Sequence, residues 1–205
     1  MLPFSALPRV TALALTDQFV AGRPAALERF RARWAASGRE PLIGTSADLP
    51  ELQDWFMRTA ARNEADGRDD LPIWWGDDGF PVVDYFGVEQ PETPQYVRLV
   101  DDVAAQIEHI LAGQVPRAYW ACQPHRPYDK LFQMPVLVIG DPEWPPQPAW
   151  NHVYITGLRA LRNPVDPLMK TGHTPWSKKA EDQVDQAWQW WEREGGVRRT
   201  EWSRG

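Results

Sequence analysis

The chain has little cysteine, little lysine and no long apolar run. A single cysteine, Cys122, among 205 residues excludes an internal disulfide and gives no reason to expect an oxidising compartment. The first nine residues, from Met1-Leu2-Pro3 to Leu7-Pro8-Arg9, lack a cationic start followed by an unbroken apolar stretch, so no secretory signal is expected there. The longest apolar run, Met134 to Ile139, contains Pro135 and is far too short to cross a bilayer. No glycine-rich phosphate turn follows any of the apolar runs. These absences lead to an expectation of a cytoplasmic protein with no membrane contact and no cofactor.

Lysine is scarce in a different sense. There are 4 Lys against 18 Arg, and the net charge is −6. A deficit of positive charge argues against a nucleic-acid partner, because phosphate neutralisation needs a surplus of Lys and Arg. Arginine in place of lysine, with abundant Ala and Pro, also fits a GC-rich coding sequence of bacterial style, a bias without functional meaning.

What the chain does have is unevenly placed charge. Residues 1–45 carry six Arg and three acids, residues 46–108 four Arg and fifteen acids, and residues 109–205 twelve bases and ten acids. The whole negative balance therefore sits in the central segment. Gathered on one face, those acids would steer a basic protein toward this chain; spread out, they would only keep it soluble. The chain also holds 12 Trp against 5 Tyr and 7 Phe. A domain of this size buries about 70% of its extended surface and cannot expose twelve indoles and stay soluble. Most must be buried or half-buried, each with a partner for its N–H.

Apolar spacing predicts a first helix over about Asp17 to Ala36, capped by Thr16 or Asp17, with Phe19, Val20, Leu27, Phe30 and Trp34 as a rough stripe. Gly22-Arg23-Pro24 interrupts that stripe, which allows a start at Pro24 instead. A second helix is expected from Ser46 or Asp48, with Leu52, Trp55, Phe56 and Thr59 on one face. Residues 71–87 read as a hairpin around Gly76-Asp77-Asp78-Gly79, and Glu92 to Ala112 as a third helix. Three short apolar runs, Ala118 to Cys122, Leu131 to Ile139 and Trp150 to Thr156, read as strands, and Ser177 to Glu194 as a last helix. Without regular βαβ alternation, this order predicts an α+β fold: one domain over residues 1–205, mostly antiparallel sheet flanked by about four helices. A helical N-terminal subdomain over residues 1–65 is the alternative division.

Candidate sites are few. Trp74 and Trp75, bracketed by Asp69, Asp70, Asp77 and Asp78, have the composition of an interaction surface, with indoles as anchors and acids that select a basic partner. The plainer reading is a hairpin whose tryptophans cover the core. Trp190 lies off the stripe of the last helix formed by Val184, Ala187, Trp188 and Trp191, and is the residue there expected to face a partner. Cys122, three residues before His125, offers a thiolate–imidazole pairing for nucleophilic catalysis, with core packing at a strand end as the alternative. His152 and His173 could join them around zinc, but without a second paired spacing no metal is expected. Asp101-Asp102 is a further carboxylate pair, and Asp141 follows a buried run.

The leading expectation is a non-enzymatic binding protein, inhibitor- or immunity-like, that engages a basic protein partner. The alternatives are a small hydrolase or transferase using Cys122 and His125, with or without a bound metal, and an inactive subunit of a larger assembly docked through its last helix and C-terminal tail.

Overall fold

The computed structural model describes residues 7–62, 72, 94–123, 133–140, 149–162 and 175–194, without the side chains at 62, 94, 95, 150–152, 159, 161 and 162. Helix α1 spans Arg9–Ala36, a single 3-10 turn Ser46–Asp48 leads into α2 at Leu49–Arg62, and α3 spans Pro94–Gln114. Strands β1 (Tyr119–Cys122) and β2 (Pro135–Val138) follow, then α4 (Ala149–Arg162) and α5 (Trp176–Arg193). The expectation of a sheet-dominated fold is overturned: 74% of the described chain is helical, with one small two-stranded antiparallel sheet.

Two corrections account for most of that shift. First, α1 begins at Arg9 rather than at Asp17 or Pro24, and runs through Pro24. Its buried residues are Ala12, Thr16, Phe19, Ala26, Phe30 and Trp34. Their steps of three and four residues are interrupted only at position 23, where Arg23 takes the inward place. A proline inside a helix leaves one carbonyl without an intrahelical donor and costs about 3 kcal/mol. Pro24 lies on the exposed side, and the apolar anchors on both sides carry the helix through. The helix ends as expected at Ser37-Gly38. Ser37 N and Oγ both donate to the Trp34 carbonyl, at 3.0 and 2.6 Å, and Gly38 takes a left-handed φ of 73° that closes the turn.

Second, the run Trp150 to Thr156 is not a strand but lies inside α4. Its β-branched residues suit a strand locally, but Val153, Tyr154, Gly157, Leu158 and Ala160 are buried, a set linked by steps of three and four. Burial against α2 and α3 outweighs the local preference. The other two apolar runs do pair. Tyr119 faces Val138, Trp120 faces Leu137, Ala121 faces Val136 and Cys122 faces Pro135, with Pro135 at the strand start, where its missing N–H is tolerated.

Helix α2 starts where the sequence predicts. The buried Asp48 carboxylate accepts from the backbone N–H groups of Gly44 (2.6 Å), Thr45 (3.1 Å) and Ile43 (3.2 Å), fixing the turn that feeds the helix. Leu52, Trp55 and Phe56 are buried on its inner face, and half-buried Thr59 returns its hydroxyl to the Trp55 carbonyl.

Helix α3 is the axis of the molecule, packed by α1 on one side and α4 on another, with α2 and α5 completing its surroundings. From Tyr96 to Glu108 every residue is buried, including Arg98, Asp101, Asp102, Gln106 and Glu108. One connected apolar cluster joins α1 to α5, with Phe19, Phe30, Phe56, Leu52, Val100 and Ile110 among its most enclosed members.

Candidate functional site

The densest charged constellation lies between α1 and α3. Arg23 donates to one oxygen of Asp101 and reaches Glu108 Oε2 at 3.5 Å. Arg29 donates from Nη2 to the other Asp101 oxygen at 3.1 Å and from Nε to Asp102 Oδ1 at 2.9 Å. Arg33 approaches Asp102 Oδ2 at 3.8 Å. The carboxylates are sealed while the arginines reach them from the rim: side-chain exposure is 3% for Asp101 and 0% for Asp102, against 40% for Arg29. The Arg23 guanidinium also lies 3.9 Å from the Phe19 ring centre, so the ring face shares in holding that charge.

Burial sets the electrostatics of the cluster. Removal from water pushes the Glu108 carboxyl up to about 8; Arg23 opposes the shift and the neighbouring Asp101 charge adds to it. Burial likewise pushes Asp102 up to about 6, against the pull of Arg29. For both groups the loss of hydration outweighs the ion pairs, as expected where one guanidinium serves two carboxyls.

The expected acidic surface is therefore corrected in part. Asp101, Asp102 and Glu108 are not surface charge; they are consumed inside the chain by arginines of the basic N-terminal segment. The acids of the α2 region also have partners, Glu51 with Arg39, Asp54 with Arg58 at 3.1 Å, and Asp48 with three backbone donors. Neither Arg23 nor Glu108 stands out in the sequence as part of a site. The usable signal was an arginine at the one position where the α1 core spacing demands an apolar residue.

Of the proposed interaction surface, Asp69, Asp70, Trp74, Trp75, Asp77 and Asp78 lie outside the described residues, as does the hairpin over 71–87 apart from Pro72. Trp190 is half-buried, as is its neighbour Trp191. The general expectation for tryptophan can be followed at seven positions. Trp34, Trp55, Trp176 and Trp188 are buried and Trp120, Trp190 and Trp191 half-buried. Three indole N–H groups have partners: Trp34 the Glu40 carbonyl at 2.7 Å, Trp188 the Gln114 carbonyl at 3.0 Å and Trp176 the Thr156 hydroxyl at 3.2 Å.

Cys122 is buried at the end of β1. Its thiol donates to the Gln133 carbonyl at 3.2 Å and accepts from Arg9 Nη1 at 3.1 Å. His125, His173 and Asp141 lie outside the described residues, and so does the side chain of His152. Among the described residues no group of three His, Cys, Asp or Glu side chains is arranged to hold a metal ion, and no helix is long and apolar enough to cross a membrane.

No family model, no curated protein and no solved structure matches this chain.

Proposed function

We propose that this chain is a non-enzymatic binding protein that engages a basic protein partner through its acidic, tryptophan-containing segment, in the manner of an inhibitor or immunity protein. The observation that supports this reading is the distribution of charge left over after internal pairing. Residues 63–93 carry nine acids and one arginine, net −8, while the remainder of the chain sums to +2. In α2 and α3 the acids already have partners within the chain, so the charge that remains to attract a basic protein is that of 63–93. Asp69, Asp70, Asp77 and Asp78 would accelerate encounter, and Trp74 and Trp75 would slow release. Trp190 on α5 is the second proposed contact.

The test is a pull-down of tagged protein from its native lysate, washed at low and high salt, followed by binding kinetics on the protein retained. The expected outcome is a basic protein whose association slows at least tenfold, and loses most of its salt dependence, when Asp69, Asp70, Asp77 and Asp78 are all changed to Lys. An association rate indifferent to that charge reversal would rule the surface out.

A further inference from the structure

We propose that α1 and α3 form a proton-linked clasp, a device in which the grip of one helix on the other loosens as Glu108 gives up its proton. Geometry carries the inference. Two buried carboxyls, Asp101 and Glu108, share one guanidinium, and the sharing is unequal. Arg23 makes its close contact with Asp101 and reaches Glu108 only at 3.5 Å. Among the described residues Glu108 has no other ion-pair or hydrogen-bond partner, and its side chain is 6% exposed.

Among the described residues the charged groups around it are few. From α1 Arg23 faces it, and from α3 itself Asp101. Strands β1 and β2, Tyr119–Cys122 and Pro135–Val138, contain no charged residue. On α2, Glu51 and Arg58 are exposed, and Asp54 pairs with Arg58. On α5, Lys178, Glu181, Asp182, Asp185, Glu192 and Arg193 are exposed and Lys179 half-buried. The side chains of Arg62 on α2 and of His152, Arg159 and Arg162 on α4 lie outside the described ones. Asp102, facing Arg29 and Arg33 from α1, shares the cluster.

The direction of the linkage follows. Unfolded, Glu108 loses its proton near 4.5; folded, near 8. Between those values the folded chain holds one proton more, so stability is fully present at acid pH and falls as pH rises through the window, by at most about tenfold in the folding equilibrium per pH unit. Asp102 acts with the same sign between 3.8 and about 6. Both groups place the firmest grip on the acid side of neutrality.

Three measurements test this. Carbon-detected NMR of the wild-type protein should show the Glu108 carboxyl titrating well above the ordinary carboxylate range; titration within that range overturns the proposal. Urea unfolding at pH 5 and pH 8 should show Glu108→Gln gaining on the wild type by roughly a few hundredfold across the interval, and parallel pH curves overturn it. Hydrogen exchange, corrected for its intrinsic pH dependence, should show α1 losing protection before α5 as pH rises. Equal loss from both helices would mean global destabilisation rather than a clasp.

Discussion

Toward α1, helix α3 turns Asp101, Asp102 and Glu108 to meet three arginines; toward α4 it turns Tyr96, whose ring lies over Gly157 and whose hydroxyl donates to the Tyr154 carbonyl at 2.5 Å. The two faces of one helix are thus held by opposite means. The α1 side binds by charge taken out of water, where each group depends on its partner and the hydration cost is high. The α4 side binds by close approach of backbone and rings, where shape decides and protonation has no role. The first interface responds to pH and to the loss of one charge, the second to the addition of one carbon.

Breaking the charged face should have the largest effect. Asp101→Ala leaves Arg23 and Arg29 without their shared carboxylate and is expected to cost about 3–5 kcal/mol, read as a lower urea midpoint at pH 7. A loss below 1 kcal/mol would mean that water reaches the arginines and the pairs are of the weak surface kind.

The apolar face should yield somewhat less. A Cβ added at Gly157 would sit 2.6 Å from the Tyr96 ring and 2.8 Å from Phe56. Gly157→Ala is expected to cost about 1–3 kcal/mol through overpacking, even though alanine favours a helix by about 1 kcal/mol. If thermal unfolding instead shows stabilisation, α4 has room to move away from α3 and the contact is not tight. The smallest effect expected is that of Tyr96→Phe, which removes one buried hydrogen bond and keeps the ring. A loss of about 1 kcal/mol, unchanged between pH 5 and pH 8, would set this face apart from the clasp, and a pH-dependent loss would erase the contrast.

Legibility in the sequence divides along the same line. The apolar stripes of α2, α3 and α5 place those helices to within about two residues, and the runs Ala118 to Cys122 and Leu131 to Ile139 contain the two strands that pair. What misled were polar residues that do the work of apolar ones. Arg23 and Pro24 read as a break, because periodicity counts an inward-facing, half-buried arginine as surface. Asp101, Asp102 and Glu108 read as part of an acidic face, because charge counting does not show which acids meet a base from a distant helix. Trp150 to Thr156 read as a strand, because a short run with three β-branched residues has no length to show a helical period. For the candidate binding segment, composition alone speaks: its nine acids and two adjacent tryptophans are sequence facts.

By itself, then, the sequence determined the local elements whose polar and apolar residues alternate with a clear period, the ends marked by Ser37-Gly38 and Asp48, and the placement of excess negative charge in 63–93. Only the tertiary structure decided which acids are spent inside the molecule, because pairing over more than seventy positions, as between Arg29 and Asp102, depends on how two helices cross. It also decided that Gly157 must be glycine. A Cβ is compatible with the helix itself, and only the approach of Tyr96 and Phe56 from two other helices excludes it.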